Sequence, residues 1–217
     1  MGDPDEHQSK FQRGHATLRQ WILDGRFRPG ERLPEVDLAQ LLGVSRTTAR
    51  AVLVDLNKQG LVTIEANRGA RVRAFTRTEA LDILYMRERL EGVAAGLAAR
   101  NATDAELDDI GDVVEAMAEA ERSRDDVAYR RLVYWFHTAV INAARSSSII
   151  VFLEQLQYGL VRQQFRNFDA PHPRTGSAEE HAAVLVALRR RDPVAAEQMM
   201  RMHVSASRTA LLVADPE

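Results

Sequence analysis

Proline and glycine divide this chain into two grammars. Gly25, Pro29, Gly30, Pro34, Gly43, Gly60 and Gly69 punctuate the first 75 residues, whereas residues 76–168 hold no proline and are rich in Ala, Leu, Glu and Arg. Proline lacks an amide donor and clashes with the preceding helical turn, so a long stretch without it can form long helices. Dense Gly and Pro instead force short elements joined by tight turns. The boundary falls near Ala74–Thr78, which predicts a small domain over 1–75 and a helical one over 76–217. The 217 residues suffice for two small domains with real cores.

Charge follows the same division. Residues 9–75 hold 12 Lys+Arg against 6 Asp+Glu, and residues 76–217 hold 17 against 22. A basic module on an acidic body points to an anionic partner for the first part. With no cysteine in the chain, disulfide frameworks, thiolate metal sites and cysteine nucleophiles are excluded. No apolar run approaches the 18 residues of a membrane span, so no membrane partner is expected. The start MGDPDEHQSK lacks the basic-then-apolar order of a signal peptide. The expectation is a soluble, cytoplasmic protein.

In the first half, Leu18, Trp21 and Ile22 recur at helical spacing, predicting a helix over about 9–24 closed by Gly25. RFRPGERL reads as a turn followed by a short extended segment. A second helix is predicted over 35–42, ended by Gly43, and a third over about 46–59, with Ser45 as its N-cap. LVTIEA and ARVRAF, joined by Asn67-Arg68-Gly69, read as a hairpin. Helix, short helix, glycine turn, helix and hairpin is the order of a winged helix-turn-helix, in which the helix after the glycine turn offers its first turn to the major groove. Arg46, Thr47, Thr48 and Arg50 occupy that turn. Arginine can bond guanine bidentately and threonine can reach phosphates or bases, so all four are candidate DNA contacts. Helix starts are also polar simply because caps are polar, and Ser45 fits that plainer reading.

The run PGERLPEVDLAQLLGVSRTTARAVLVDLNKQGLV and the RGARV wing resemble the DNA-binding domain of GntR-type transcription regulators. The resemblance implies operator contacts by Arg46, Thr47, Thr48 and Arg50, and a minor-groove approach by Gly69. Where the family often has arginine this chain has Val36, and where it usually has glutamate this chain has Ala51.

The second half reads as six helices, 78–100, 104–122, 126–144, 147–168, 177–191 and 193–213, with no convincing strand. The fold class is therefore mainly α: a winged helix-turn-helix plus an all-α six-helix bundle, with any ligand site between facing helices. His137 shares a stripe with Val133, Tyr134, Val140, Ile141 and Ala144. His181 lies with Val184, Leu185 and Leu188, and His203 with Ala196, Met199 and Met200. A lone histidine on an apolar face is usually a satisfied core residue. Three of them on three helices of one bundle can instead converge on a divalent metal. His7, His15 and His172 read as solvated side chains, and the arginines at 189–191 as cations at a helix C-terminus rather than a second DNA site.

LYMRERLEGVAAGLAA, WFHTAV, EEHAAVLVAL and AAEQMMRMHV resemble the FCD effector-binding domain of the FadR subfamily. In that family a metal, often zinc, is held by three histidines and an aspartate four residues before the first. The resemblance assigns His137, His181 and His203 as ligands, puts Val133 at the aspartate position, and places Arg87 at the pocket as a bidentate grip on an effector carboxylate. A plain ion pair of Arg87 with Glu91 at i+4 is the alternative. Together these imply a ligand-responsive repressor, released by a small carboxylate metabolite and binding a pseudo-palindromic double-stranded operator as a homodimer. Two other functions compete: a metal-free constitutive DNA-binding protein, and a three-histidine metal hydrolase. The hydrolase lacks an acid–base residue, because Val133 and Tyr134 precede His137 and Glu180 is adjacent to His181 rather than on its face. An enzyme is not expected.

Overall fold

The computed structural model describes residues 4–65, 68–156, 159, 161, 164 and 177–213. They form two compact units, residues 1–77 with 157–164, and residues 78–156 with 165–217. Mainly α describes them both: among the described residues there are nine helices and one two-stranded wing.

The first unit contains α1 (Pro4–Leu23), α2 (Glu35–Leu42), α3 (Arg46–Lys58), β1 (Val62–Glu65) and β2 (Gly69–Val72). Leu18 and Ile22 of α1, Leu38 of α2, and Val52, Leu53 and Leu56 of α3 are buried together, the result of apolar spacing at three to four residues. Gly43 ends α2 in the left-handed region, at φ 63°, a conformation that costs any residue with a Cβ. Ser45 then starts α3 by accepting a hydrogen bond from the Thr48 amide. The strands pair antiparallel with Val62 opposite Val72 and Glu65 opposite Gly69. Arg32 bridges Arg71, so the extended segment after Pro29-Gly30 lies along β2. The last residues of the unit are tied by Gln164, which accepts from the Phe75 amide and donates to the Phe75 carbonyl.

The second unit contains α4 (Arg77–Asn101), α5 (Asp104–Ser123), α6 (Asp126–Ala143), α7 (Ser147–Gln155), α8 (Ser177–Arg189) and α9 (Pro193–Val213). Its core runs through Ala95, Ala98 and Ala99 of α4, Leu107, Ile110 and Met117 of α5, Tyr129, Phe136 and Val140 of α6, Val184 and Leu188 of α8, and Met200 and Val204 of α9. A Cβ at Gly92 would strike the Arg201 side chain, so α4 and α9 meet closely there. Thr103 and Glu106 form a capping box that starts α5. Arg191 reaches the Ala102 carbonyl at the end of α4 and bonds Asp104 at 2.6 Å, so this arginine caps a neighbouring helix.

One predicted element is interrupted. The helix expected over 147–168 breaks after α7 in a turn at Leu156, and Gly159, Val161 and Gln164 beyond it are helical again and belong to the first unit; the other residues from 157 to 168 lie outside the described ones. The apolar pattern continues past that turn, and periodicity alone does not mark a change of packing partner. His172 lies outside the described residues.

Candidate functional site

The reader is built by α2, the Gly43 turn and α3. Arg46, Thr47 and Arg50 are exposed on the first turns of α3, and Gly69 is exposed in the wing, at φ 81° with open space where a Cβ would stand. The structure therefore leaves these four accessible. Thr48 differs from its sequence expectation. It is 2% exposed, and its hydroxyl bonds the Ser45 hydroxyl at 2.8 Å. Its position in the first turn suggests a DNA contact, but the turn points it inward, where it completes the cap. His15 also departs from the solvated reading, since its Nε2 lies 3.1 Å from Asp55 and 2.9 Å from Gln59.

In the second unit His137 of α6, His181 of α8 and His203 of α9 converge. One nitrogen of each lies within 4.8 Å of the others. His181 and His203 are buried and the His137 side chain is 11% exposed. Phe136 packs edge-on against His181 and walls the cluster. The three Nδ1 atoms face outward, toward acceptors: Glu91 Oε2 at 2.6 Å from His137, the Ser177 carbonyl at 2.6 Å from His181, and Glu180 Oε2 at 2.8 Å from His203. Carbonyls and carboxylates only accept, so each imidazole carries its proton on Nδ1 and keeps its Nε2 lone pair for the centre.

Electrostatics reinforce that tautomer. Burial would raise the Glu91 carboxyl, but the Arg87 guanidinium and then His137 outweigh it and hold its pKa at about 2. Burial lowers His137 to about 4, against the opposing pull of Glu91. At neutral pH Glu91 is therefore an anion and His137 a neutral donor to it. His137 Nε2 and His203 Nε2 then stand 3.2 Å apart with lone pairs facing. Two such atoms are satisfied by a shared electrophile, a proton or a metal ion, and nitrogens on one tetrahedral zinc lie about 3.3 Å apart at Zn–N distances of ~2.0–2.1 Å. The donor set fits a divalent metal.

The comparisons with known proteins agree in both halves. The model of the bacterial regulatory proteins of the gntR family matches residues 13–72, and the FCD domain model matches residues 82–206. The chain belongs to the GntR family. It is a DNA-binding transcription regulator with an FCD effector domain, and not an enzyme. The probable D-xylose utilization operon transcriptional repressor of Paenarthrobacter nicotinovorans is 29% identical over 85% of this chain and 81% of its own length. The Glc operon transcriptional activator of Escherichia coli strain K12 is 26% identical over 87% of this chain and 83% of its own. A solved GntR transcriptional regulator from Rhodococcus sp. RHA1 superimposes with a TM-score of 0.76 at 26% identity, covering 96% of this chain and all of that one.

Within this GntR regulator, two expectations about the FCD part change. Arg87 is 7% exposed and pairs with Glu91, so the guanidinium expected to await an effector already holds a carboxylate, and that pair is buried rather than superficial. Tyr134, expected on the inward stripe, is 69% exposed. Val133 is partly buried against the core and offers no ligand atom. Glu91, Glu180 and the Ser177 carbonyl are the functional groups that sequence reasoning missed. Glu180 cannot share a face with His181, yet it serves His203 on the next helix. Among the described residues no helix is long and apolar enough to cross a membrane.

Proposed function

We propose that residues 76–217 sense a small carboxylate effector through a divalent metal, and that residues 1–75 carry the response to a pseudo-palindromic operator as a homodimer in the cytoplasm. Arg46, Thr47, Arg50 and Gly69 are the DNA-facing residues of this reading, with Ser45 and Thr48 supporting them as a cap. The sign is repression relieved by the effector, as the name of the Paenarthrobacter relative suggests, although the Escherichia coli relative is an activator.

One observation carries the sensing half: three imidazoles whose Nδ1 protons are all engaged outward, leaving three Nε2 lone pairs to converge. His137, His181 and His203 would hold the metal, which when bound would supply a Lewis-acid anchor for an effector oxygen. Glu91 and Glu180 orient two of the rings and raise their basicity, the usual part of carboxylates behind metal-bound histidine. Arg87 fixes Glu91 in place. Val133, standing where an acidic ligand would complete the set, leaves the remaining coordination to water or to the effector.

Calorimetric titration of zinc into chelator-treated protein tests this reading. Wild type should bind one equivalent per chain, and His181→Ala or His203→Ala should abolish it. Loss of operator retardation when single carboxylates are added to the zinc-loaded protein would identify the effector class. No zinc uptake by wild type would leave constitutive, metal-free DNA binding as the function.

A further inference from the structure

The two arginines of the recognition helix are not independent of each other. Glu35, the first residue of α2, reaches both. Its Oε2 accepts from Arg46 Nε at 3.2 Å, and its Oε1 lies 3.5 Å from Arg50 Nε. The Glu35 side chain is 28% exposed, whereas those of Arg46 and Arg50 are 72% and 74% exposed. Arg46 and Arg50 stand one helical turn apart on the same face of α3, so a single carboxylate on the neighbouring helix spans both.

Ion pairs exposed to this degree add little to folding stability. Their consequence lies in what the arginines can do next. Guanine is read through O6 and N7 by two nitrogens of one guanidinium fork. With Arg46 Nε hydrogen-bonded to Glu35 and Arg50 Nε facing it as a looser ion pair, the atoms turned away from Glu35 and left to approach a base are Nη1 and Nη2, so the approach is end-on. A long side chain already held in one rotamer also loses less entropy on binding. Finally, one anion set against two cations lowers the sequence-independent pull of the phosphates. The neighbouring Val36 is exposed and adds no cation of its own.

We propose that Glu35 is a specificity-determining residue of the reader: it touches no base, and it positions Arg46 and Arg50 for end-on readout while restraining non-specific binding. This rests on the reading that the two arginines contact bases. Geometry and charge can be separated by substitution. Glu35→Gln removes the charge at constant length, and Glu35→Asp keeps the charge but is one methylene too short to span both guanidinium groups.

The test uses full-length protein and two probes: a duplex selected by wild type from a random pool, and a scrambled duplex of the same composition. Fluorescence anisotropy gives affinity for each over a range of salt. Glu35→Gln should bind the scrambled duplex more tightly, steepen the slope of log K against log salt by about one, and lower the selected-to-scrambled ratio by about tenfold. Glu35→Asp should keep the wild-type slope and still lose discrimination. If Glu35→Asp discriminates like wild type while Glu35→Gln does not, charge alone matters and the positioning role is overturned. It is overturned equally if both variants keep the wild-type ratio. Arg46→Ala and Arg50→Ala serve as controls. If they collapse the ratio while the Glu35 variants do not, only the role of Glu35 fails; if they leave it intact, the base-reading assignment fails and takes this proposal with it.

Discussion

At the scale of single residues, the histidine centre is a problem of proton placement. Glu91 and Glu180 were invisible in the sequence as partners because a ring's second nitrogen finds its acceptor through tertiary packing: α4 supplies Glu91 to His137 of α6, and α8 supplies Glu180 to His203 of α9. The histidines themselves were legible, since each falls on an apolar face. A pH prediction follows for chelator-treated protein. In the unfolded chain His137 takes its proton near 6.5, but in the folded state only near 4. The unfolded state therefore binds more protons between these values, and stability should fall as pH drops through that window. Glu91 extends the loss: its folded pKa of about 2 lies below the ordinary 4.5, so its contribution, complete above 4.5, disappears as pH falls toward 2. Urea melts of the metal-free protein at pH 7, 5.5 and about 4 should show decreasing midpoints. A flat profile would mean that His137 is solvated rather than buried. Val133→Asp probes the same centre differently. It puts a carboxylate one turn before His137, so zinc affinity should rise. The metal-free variant should lose about 1–3 kcal/mol, the cost of a buried polar group left unsatisfied. Calorimetry with zinc and thermal melts with chelator read these two effects separately.

At the scale of elements, what the sequence disclosed is what local chemistry determines. The limits of α2 and α3 were readable because Gly43 and Ser45 act within a few residues of themselves, and the wing because Gly69 takes the positive φ with which β2 begins. The turn at Leu156 was not, because neither glycine nor proline stands at that position, and what changes there is which residues the chain packs against. Within α3 a similar limit separates Thr47 from Thr48. Adjacent residues on a helix point about 100° apart, so one faces solvent while the other closes the cap. Thr48→Ala removes the hydroxyl that bonds Ser45, and Ser45→Ala removes the acceptor for the Thr48 amide. Each should cost about 0.5–2 kcal/mol of stability. Thr47→Ala should leave stability within about 0.5 kcal/mol and weaken operator binding. Chemical denaturation beside gel-shift titration separates the two threonines. Equal loss of operator affinity with unchanged stability in both variants would return Thr48 to the DNA surface.

At the scale of the whole molecule, the reader and the sensor must communicate, and thermodynamics constrains how. A pseudo-palindromic operator is read by two copies whose recognition helices are spaced by about one DNA turn, roughly 34 Å, or a multiple of it. Light scattering should therefore give about twice the 24.3 kDa chain mass, free and on the operator. Regulation then requires that metal and effector bind the DNA-competent arrangement and its alternative with different affinities, because a ligand with equal affinity for both shifts nothing. The coupling is reciprocal: any factor by which zinc changes operator affinity must equal the factor by which operator changes zinc affinity. Operator titrations of zinc-loaded and chelated protein give the first factor, and zinc calorimetry with and without saturating operator gives the second. We expect equal factors of about 5–150, the range of typical allosteric coupling. Val133→Asp should raise zinc affinity in both the presence and the absence of operator while leaving their ratio near its wild-type value, since it strengthens the metal site without touching the reader. A ratio of one in wild type would make the metal a structural part of the bundle, and the effector alone would then have to distinguish the two arrangements.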